Sequence, residues 1–390
     1  MHHTEILLAL FLIFVAAQVG AEVTQRLQLP GVVGEIAAGC LIGPSVLGWV
    51  RLTEHTSEPL LMLSEVGAVL LLFSVGLETR LDDLKRVGKS AVQVGVAGMI
   101  VPFVLGAAWA HFAGYATPNA LFIASAFVAT SAGITARVLS EMCVLGSIEA
   151  RVILGAAVID DILAMLLLGI VGSFVRPNGF VLSHLLTSLV LAVGFVVVVA
   201  VGGSHLLRRK SEVLDAPINP HSPLTFALVA CLGLATAASF IGLAAIIGAF
   251  LAGMAFAETP QRAALEHQFA AIMAFITPYF FVLTGMQIEL HQLASRSALV
   301  TLALITALAV VGKIIGGGWG ARALGRKSAL IVGVGMVPRG EVGIIVASLG
   351  KSAGVFNDLV YALIIAMSLL TSVIAPPVLK AQFAAQRRKG

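Results

Sequence analysis

The sequence predicts an all-α polytopic membrane protein. About thirteen transmembrane helices form two inverted-topology halves of six around a linker helix, with two crossing discontinuous helices. Three observations predict this. The 390-residue chain is 59% hydrophobic and only 11% charged, against roughly 25% charged residues in a soluble domain. Its apolar stretches mostly reach the ~20 residues that cross a bilayer. Its lysines and arginines fall in alternate connecting loops, as membrane orientation requires.

Charged, proline-rich or glycine-rich punctuation divides the chain into thirteen apolar segments. The first, Ile6–Thr24, has no basic stretch before it and reads as a transmembrane helix rather than a cleaved signal. Val32–Leu47 is short; Pro59–Leu77, Val87–Phe112, Asn119–Leu139 and Ile148–Phe174 follow and complete the first six. Leu182–Leu207 is the linker. The second six are Pro223–Ser239, the short Gly242–Ala257, Phe269–Ile288, Ser297–Ala321, Ala329–Leu349 and Asn357–Leu379. No polar segment between them is large enough for a soluble domain.

Orientation follows from charge. With the N-terminus outside and the C-terminus inside, eighteen of the 24 basic residues lie in or beside inside loops. Four lie outside (Arg51, Arg176, Arg296 and Lys351), and Lys313 and Arg339 sit within apolar segments. A miscounted segment would scramble this alternation. The net charge of +4 therefore reflects topology and implies no nucleic-acid partner.

Segments seven apart face opposite ways, which is the inverted repeat of many secondary transporters. The fifth segment is interrupted at Ala129-Thr130-Ser131-Ala132-Gly133 and the twelfth at Val337-Pro338-Arg339-Gly340, so the interruptions occupy corresponding places. Matched broken helices point to a binding site near the bilayer midplane. Unwound backbone frees carbonyl and N–H groups there, and the hydroxyls of Thr130 and Ser131 can replace part of an ion's hydration shell. A simple kink is the alternative reading of the first break.

The adjacent pair Asp160-Asp161 lies in the middle of the sixth segment, with apolar residues for two turns on each side. Each carboxylate at such depth costs ~2.5–3.5 kcal/mol on insertion scales, and ionisable groups there mark ion or proton paths. Neighbours on a helix point about 100° apart, so the two roles should differ. Lys313 is too deep in the eleventh segment to snorkel easily. It needs a carboxylate partner or loses its proton, with Asp160 or Asp161 the obvious partner; a purely structural ion pair is the other reading. Arg339 and Glu341 flank the second break, where Arg339 either balances a negative helix end or pairs with Glu341 or another carboxylate. Glu35, Glu65 and Glu78 read as interfacial or paired, with Glu78 placed to line a cytoplasmic access route.

The remaining signals are bland. Cys40, Cys143 and Cys231 have no metal-type spacing, and the two in apolar segments, Cys40 and Cys231, read as small packing residues. The nine histidines do not cluster. Gly316-Gly317-Gly318 reads as close helix packing. No Walker-type or dinucleotide fingerprint appears where a strand would precede it, and no cofactor is expected.

Five stretches together carry a family resemblance. They are G-L-E-T-R-L (Gly76–Leu81), T-S-A-G-I-T-A-R-V-L (Thr130–Leu139), L-G-A-A-V-I-D-D-I (Leu154–Ile162), G-K-I-I-G-G (Gly312–Gly317) and G-V-G-M-V-P-R-G-E-V-G (Gly333–Gly343). Over about residues 4 to 380 the chain resembles the bacterial sodium/proton antiporters of the monovalent cation:proton antiporter-2 family.

The resemblance implies a transporter rather than an enzyme, in the inner membrane of a prokaryote and as a homodimer. It implies a dimerisation domain (residues 1–80 and 211–292), a core transport domain (81–178 and 293–390) and the linker helix at 179–210. It assigns ion and proton carriage to Asp161 and pairs Asp160 with Lys313. Having aspartate at the first position together with the lysine favours electrogenic sodium/proton exchange, with lithium also carried. The C-terminal nucleotide-binding domain of potassium-efflux relatives is not expected. The transported cation would bind Asp161, with Asp160 and oxygens near Thr130 and Ser131 as further ligands. Lys313 either carries a proton or is only structural.

A potassium/proton antiporter, or an organic-anion/sodium symporter on the same architecture, is the alternative. An acidic pair opposite one lysine suits a small cation better than an anion. An intramembrane aspartyl protease needs two aspartates converging from different helices, and these two are neighbours. The matched breaks, without a selectivity-filter pattern, favour a carrier over a channel.

Overall fold

The computed structural model describes residues 2–51, 53, 56–173, 182–209, 222–287, 290–339 and 341–387. Among them there are helices and no strands. The first half comprises α1 (His2–Arg26), α2 (Gly31–Ile42), α3 (Ser57–Leu77), α4 (Leu81–Phe112), the broken pair α5 (Thr117–Val128) and α6 (Ala132–Glu141), and α7 (Ile148–Ser173). The linker is α8 (Leu182–Val197), a π-helical turn at Val198–Gly203 and α9 (Ser204–Arg209). The second half is α10 (Ser222–Phe240), α11 (Ala245–Phe256), α12 (Arg262–Met286), α13 (Arg296–Gly320), the broken pair α14 (Arg326–Gly335) and α15 (Glu341–Ser352), and α16 (Asp358–Arg387). Each of the thirteen sequence segments is thus helical. Nine spans among the described residues are long and apolar enough to cross a membrane, with Thr117–Glu141 counted across its break.

Local chemistry explains where the boundaries moved. α2 stops at Ile42 rather than Leu47, because Gly43 precedes Pro44 and a residue before proline is pushed out of helical backbone. α12 starts at Arg262, seven residues before the apolar run, and Arg262 Nε meets Glu266 Oε1 one turn on at 2.6 Å. α16 continues through Pro376 and Pro377 to Arg387. The linker is not a continuous α-helix but carries the π turn.

The packing repeats itself. In one group α1 lies on α2 as α10 lies on α11, and α2 packs on α12 as α11 packs on α3. In the other, α4 lies beside α5 and α7 as α13 lies beside α14 and α16. These are the pairings an inverted repeat demands, because the partners are seven segments apart. The linker leans on α7 through α8 and on α11 through its π turn and α9.

The most extensive helix contact joins α4 to α13, equivalent segments of the two halves. Gly312, Gly316 and Gly320 make a stripe of one residue per turn on α13. A Cβ on Gly316 would overlap the carbonyl of Ala97, and one on Gly320 would lie 2.6 Å from the Gln93 oxygen. Small residues let the backbones approach this closely where lipid supplies no hydrophobic drive between helices. Polar contacts at the helix ends join loops expected on the same side. Lys380 Nζ donates to the Gln28 carbonyl at one end. At the other, Asn119 Nδ2 donates to the Val355 carbonyl, and Lys351 pairs with Asp358 at 3.1 Å.

Candidate functional site

The two broken helices cross, and a backbone hydrogen bond joins their breaks. Ala129 and Ser131 have extended backbone, and Ser131 caps α6 by accepting from the Ile134 N–H at 3.4 Å. The Ser131 N–H donates to the carbonyl of Pro338 in the other break at 2.7 Å. Pro338 lies in the unwound stretch between α14 and α15, so its carbonyl stands outside a helical ladder and can accept from the partner segment.

Each break exposes a helix C-terminus with unsatisfied carbonyls and a partial negative charge. The two are covered differently. At the end of α5, the Arg339 guanidinium donates to the Phe127 carbonyl through Nη2 at 2.5 Å and Nε at 3.2 Å. The same Nη2 reaches the Ala309 carbonyl on α13 at 3.1 Å, and Nη1 donates to the Val337 carbonyl at 3.2 Å. At the end of α14, neutral hydroxyls do the work. Thr135 donates to the Gly335 carbonyl at 2.9 Å and Thr130 to the Met336 carbonyl at 3.4 Å. Of the readings open for Arg339, balancing a negative helix end is the one its hydrogen bonds fit; Glu341 begins α15, and its side chain lies outside the described residues.

Arg339 is held in turn by α16. Its backbone N–H donates to Thr371 Oγ1 at 3.3 Å, and its carbonyl accepts from Ser372 Oγ at 2.5 Å. Ser368, Thr371 and Ser372 are all fully buried. The sequence reading missed them, although hydroxyls three and four residues apart in an apolar segment form one helix face and could have been noticed.

Asp160 and Asp161 point to different surroundings. Asp160 faces inward, where Lys313 Nζ donates to both of its carboxylate oxygens at 3.1 Å. Both side chains are shut off from solvent, at 0% and 1% exposure. Ala309, whose carbonyl Arg339 holds, is one turn from Lys313 on α13. Asp161 lies against a narrow pocket lined by Leu72 of α3, Ala132 of α6, Leu154 and Val158 of α7, and Ile246, Ile247 and Phe250 of α11. This pocket sits where the group containing α3 and α11 meets the group containing α6 and α7. Ala132 is the first residue of α6, so that helix presents its partial positive end to the pocket.

Among the described residues, Asp161 is the one charged residue lining the pocket. The apolar wall from α3 and α11 was not legible in the sequence, since wall residues and lipid-facing residues look alike in composition. Thr130 and Ser131 stand at the crossing, but neither lines this pocket. Glu65 is exposed on α3, seven residues from Leu72 and so on the same helix face about 10 Å away. Glu78 is exposed at the end of α3. Glu35 is buried on α2. Among the described residues no His, Cys, Asp and Glu side chains group as a resident metal site.

Against this geometry, the model of the transmembrane sodium/hydrogen exchanger matches residues 7–384. The chain belongs to the sodium/hydrogen exchanger family. It is 34% identical to the high-affinity Na+/H+ antiporter NhaS3 of Synechocystis, over 98% of this chain and 91% of that one. It is 35% identical to the Na+/H+-K+ antiporter GerN of Bacillus cereus, over 96% and 95% of the two chains. Its fold matches the sodium proton antiporter MjNhaP1 of Methanocaldococcus jannaschii with a TM-score of 0.68 and 17% identity, covering 99% and 98% of the chains. The family is one of transporters, not enzymes, and the chain is a multi-pass membrane protein of that fold.

Proposed function

We propose that this protein exchanges a monovalent cation, sodium before lithium, for protons across a prokaryotic plasma membrane, with its N-terminus outside and its C-terminus in the cytoplasm. One observation carries the reading: Asp161 lies at the seam between two helix groups, beside the crossing of the broken helices. A carboxylate there holds a cation or a proton but not both, and that exclusion couples the two fluxes. Asp160 and Lys313 form the neighbouring buried pair. Lys313 carries a second proton if it parts from Asp160 during the cycle. Arg339, Thr130 and Ser131 keep the unwound segments in place, and oxygens near that crossing complete the cation's ligands.

The group α4–α7 with α13–α16 is taken as the moving core, and α1–α3 with α10–α12 as a scaffold that meets its copy in a homodimer within the bilayer. Sliding of the core against the scaffold exposes Asp161 first to one side and then to the other. Two protons in for one sodium out moves one net charge, and a 100 mV potential contributes ~2.3 kcal/mol to it.

The test is exchange in proteoliposomes across a sodium, lithium and potassium series, with and without an imposed voltage. Sodium-driven proton movement that responds to voltage is expected. Potassium belongs in the series because the GerN relative is named for both ions. Sodium exchange indifferent to voltage would remove the stoichiometry, and no exchange with any cation would remove the reading.

A further inference from the structure

Arg137 was counted with an inside loop in the sequence, but it lies on α6, one turn from the end of that half-helix. It holds Glu141 tightly along the same helix, Nε to Oε1 at 2.9 Å. Its Nη2 also faces Glu35 Oε1 on α2, across the seam between the two helix groups, at 4.0 Å. The other oxygen of Glu141 crosses the seam as well and accepts from the Gly31 N–H at 3.0 Å, at the start of α2. The two acidic side chains thus bracket one guanidinium, one from each group. Glu35 is 3% exposed, and its second oxygen, Oε2, is buried without a hydrogen-bond partner.

The contrast in distance is informative. The bond within α6 is short and made to last. The contact across the seam is long and incomplete, although a guanidinium and a carboxylate at this burial can form two parallel bonds. α2 packs mainly on α1 and α12, whereas α6 is bonded to the α14–α15 break through Ser131 and Thr135. Displacement that separates α6 from α2 stretches both the Arg137–Glu35 and the Glu141–Gly31 contacts.

We propose that Arg137, Glu35 and Glu141 form an ionic lock between core and scaffold at the end of the molecule carrying the α1–α2 and α6–α7 loops. The lock closes that end while Asp161 is open to the opposite one, and it opens and reforms once per cycle. This rests on the transport reading above and adds its gate. Arg137 is a positioning residue: it touches no transported ion and acts by setting how long each state lasts.

Two measurements test it. In a background with Cys40→Ala, Cys143→Ser and Cys231→Ala, Glu35→Cys and Arg137→Cys are joined in proteoliposomes by a short, reducible bifunctional thiol reagent. Cross-linking is expected to cut sodium/proton exchange more than twentyfold, and reductant to restore it. Cross-linked protein that keeps half its exchange rate would overturn the lock. Separately, Arg137→Gln is expected to raise the KM for sodium on one side and lower it on the other, each by about threefold to tenfold, as the locked state loses population. Arg137→Lys should return both most of the way. A mere packing role would lower kcat with both KM values moving together, and that result too would overturn it. If the unsubstituted chain shows no exchange, the transport reading fails instead, so the two failures are distinguishable.

Discussion

Replacing Lys313 with methionine removes one partner of a pair whose side chains are 0% and 1% exposed. Methionine roughly keeps the length and volume of the lysine stem, so the substitution isolates the charge. Asp160 would be left buried, having lost the donor that bonds both its oxygens at 3.1 Å. Breaking a buried pair this way costs ~3–5 kcal/mol, whereas replacing both partners by uncharged groups of similar shape is often neutral or better. An unfolding entropy of ~2.1 cal/mol/K per residue over 390 residues gives ~0.8 kcal/mol per degree, so Lys313→Met should lower Tm by ~4–6 °C. Adding Asp160→Asn to Lys313→Met should recover most of that loss. The assay is thermal unfolding of detergent-solubilised protein, followed by size-exclusion fluorescence, for both single variants and the double. A single variant melting within about 1 °C of the parent, or effects that add with no coupling in the double-mutant cycle, would refute the reasoning.

Two further outcomes follow from geometry. Arg339→Met leaves the Phe127 and Ala309 carbonyls without their donor, at ~1–3 kcal/mol each. Arg339→Lys should recover only part, because a point charge cannot span two acceptors as a planar fork does; full recovery in the same melting assay would contradict the capping role. Gly316→Val would drive a side chain into the Ala97 carbonyl and should lose ~1–3 kcal/mol or more. Gly88→Ala, on α4 with open space around its Cβ position, should gain up to ~1 kcal/mol. Equal effects of the two would remove the close α4–α13 approach as a determinant.

The sequence was most legible where the membrane leaves no choice. A bilayer demands ~20 apolar residues per crossing and internal pairing of every backbone group; the segments from α1 to α16 therefore stood out, and basic residues set their alternation. The breaks were legible because Thr130, Ser131 and Pro338 are poor residues for continuous helix. What failed was decided by contacts. α12 extends into polar sequence, where Arg262 and Glu266 pair one turn apart, and the π turn at Val198–Gly203 left no compositional mark. Arg339 is held mostly by backbone carbonyls, which no sequence displays. The pocket wall of Leu72, Ile246, Ile247 and Phe250 is apolar like everything around it. Arg137 looked like one more inside charge until α2 was found opposite it.

The most direct measurement is proton release on sodium addition, made in weakly buffered detergent solution on the parent chain and on Asp161→Asn. Sodium should drive protons off the parent and none off the variant, since Asp161 is the one charged side chain lining the pocket among the described residues. Equal release from both proteins would contradict the claim that cation and proton compete for Asp161.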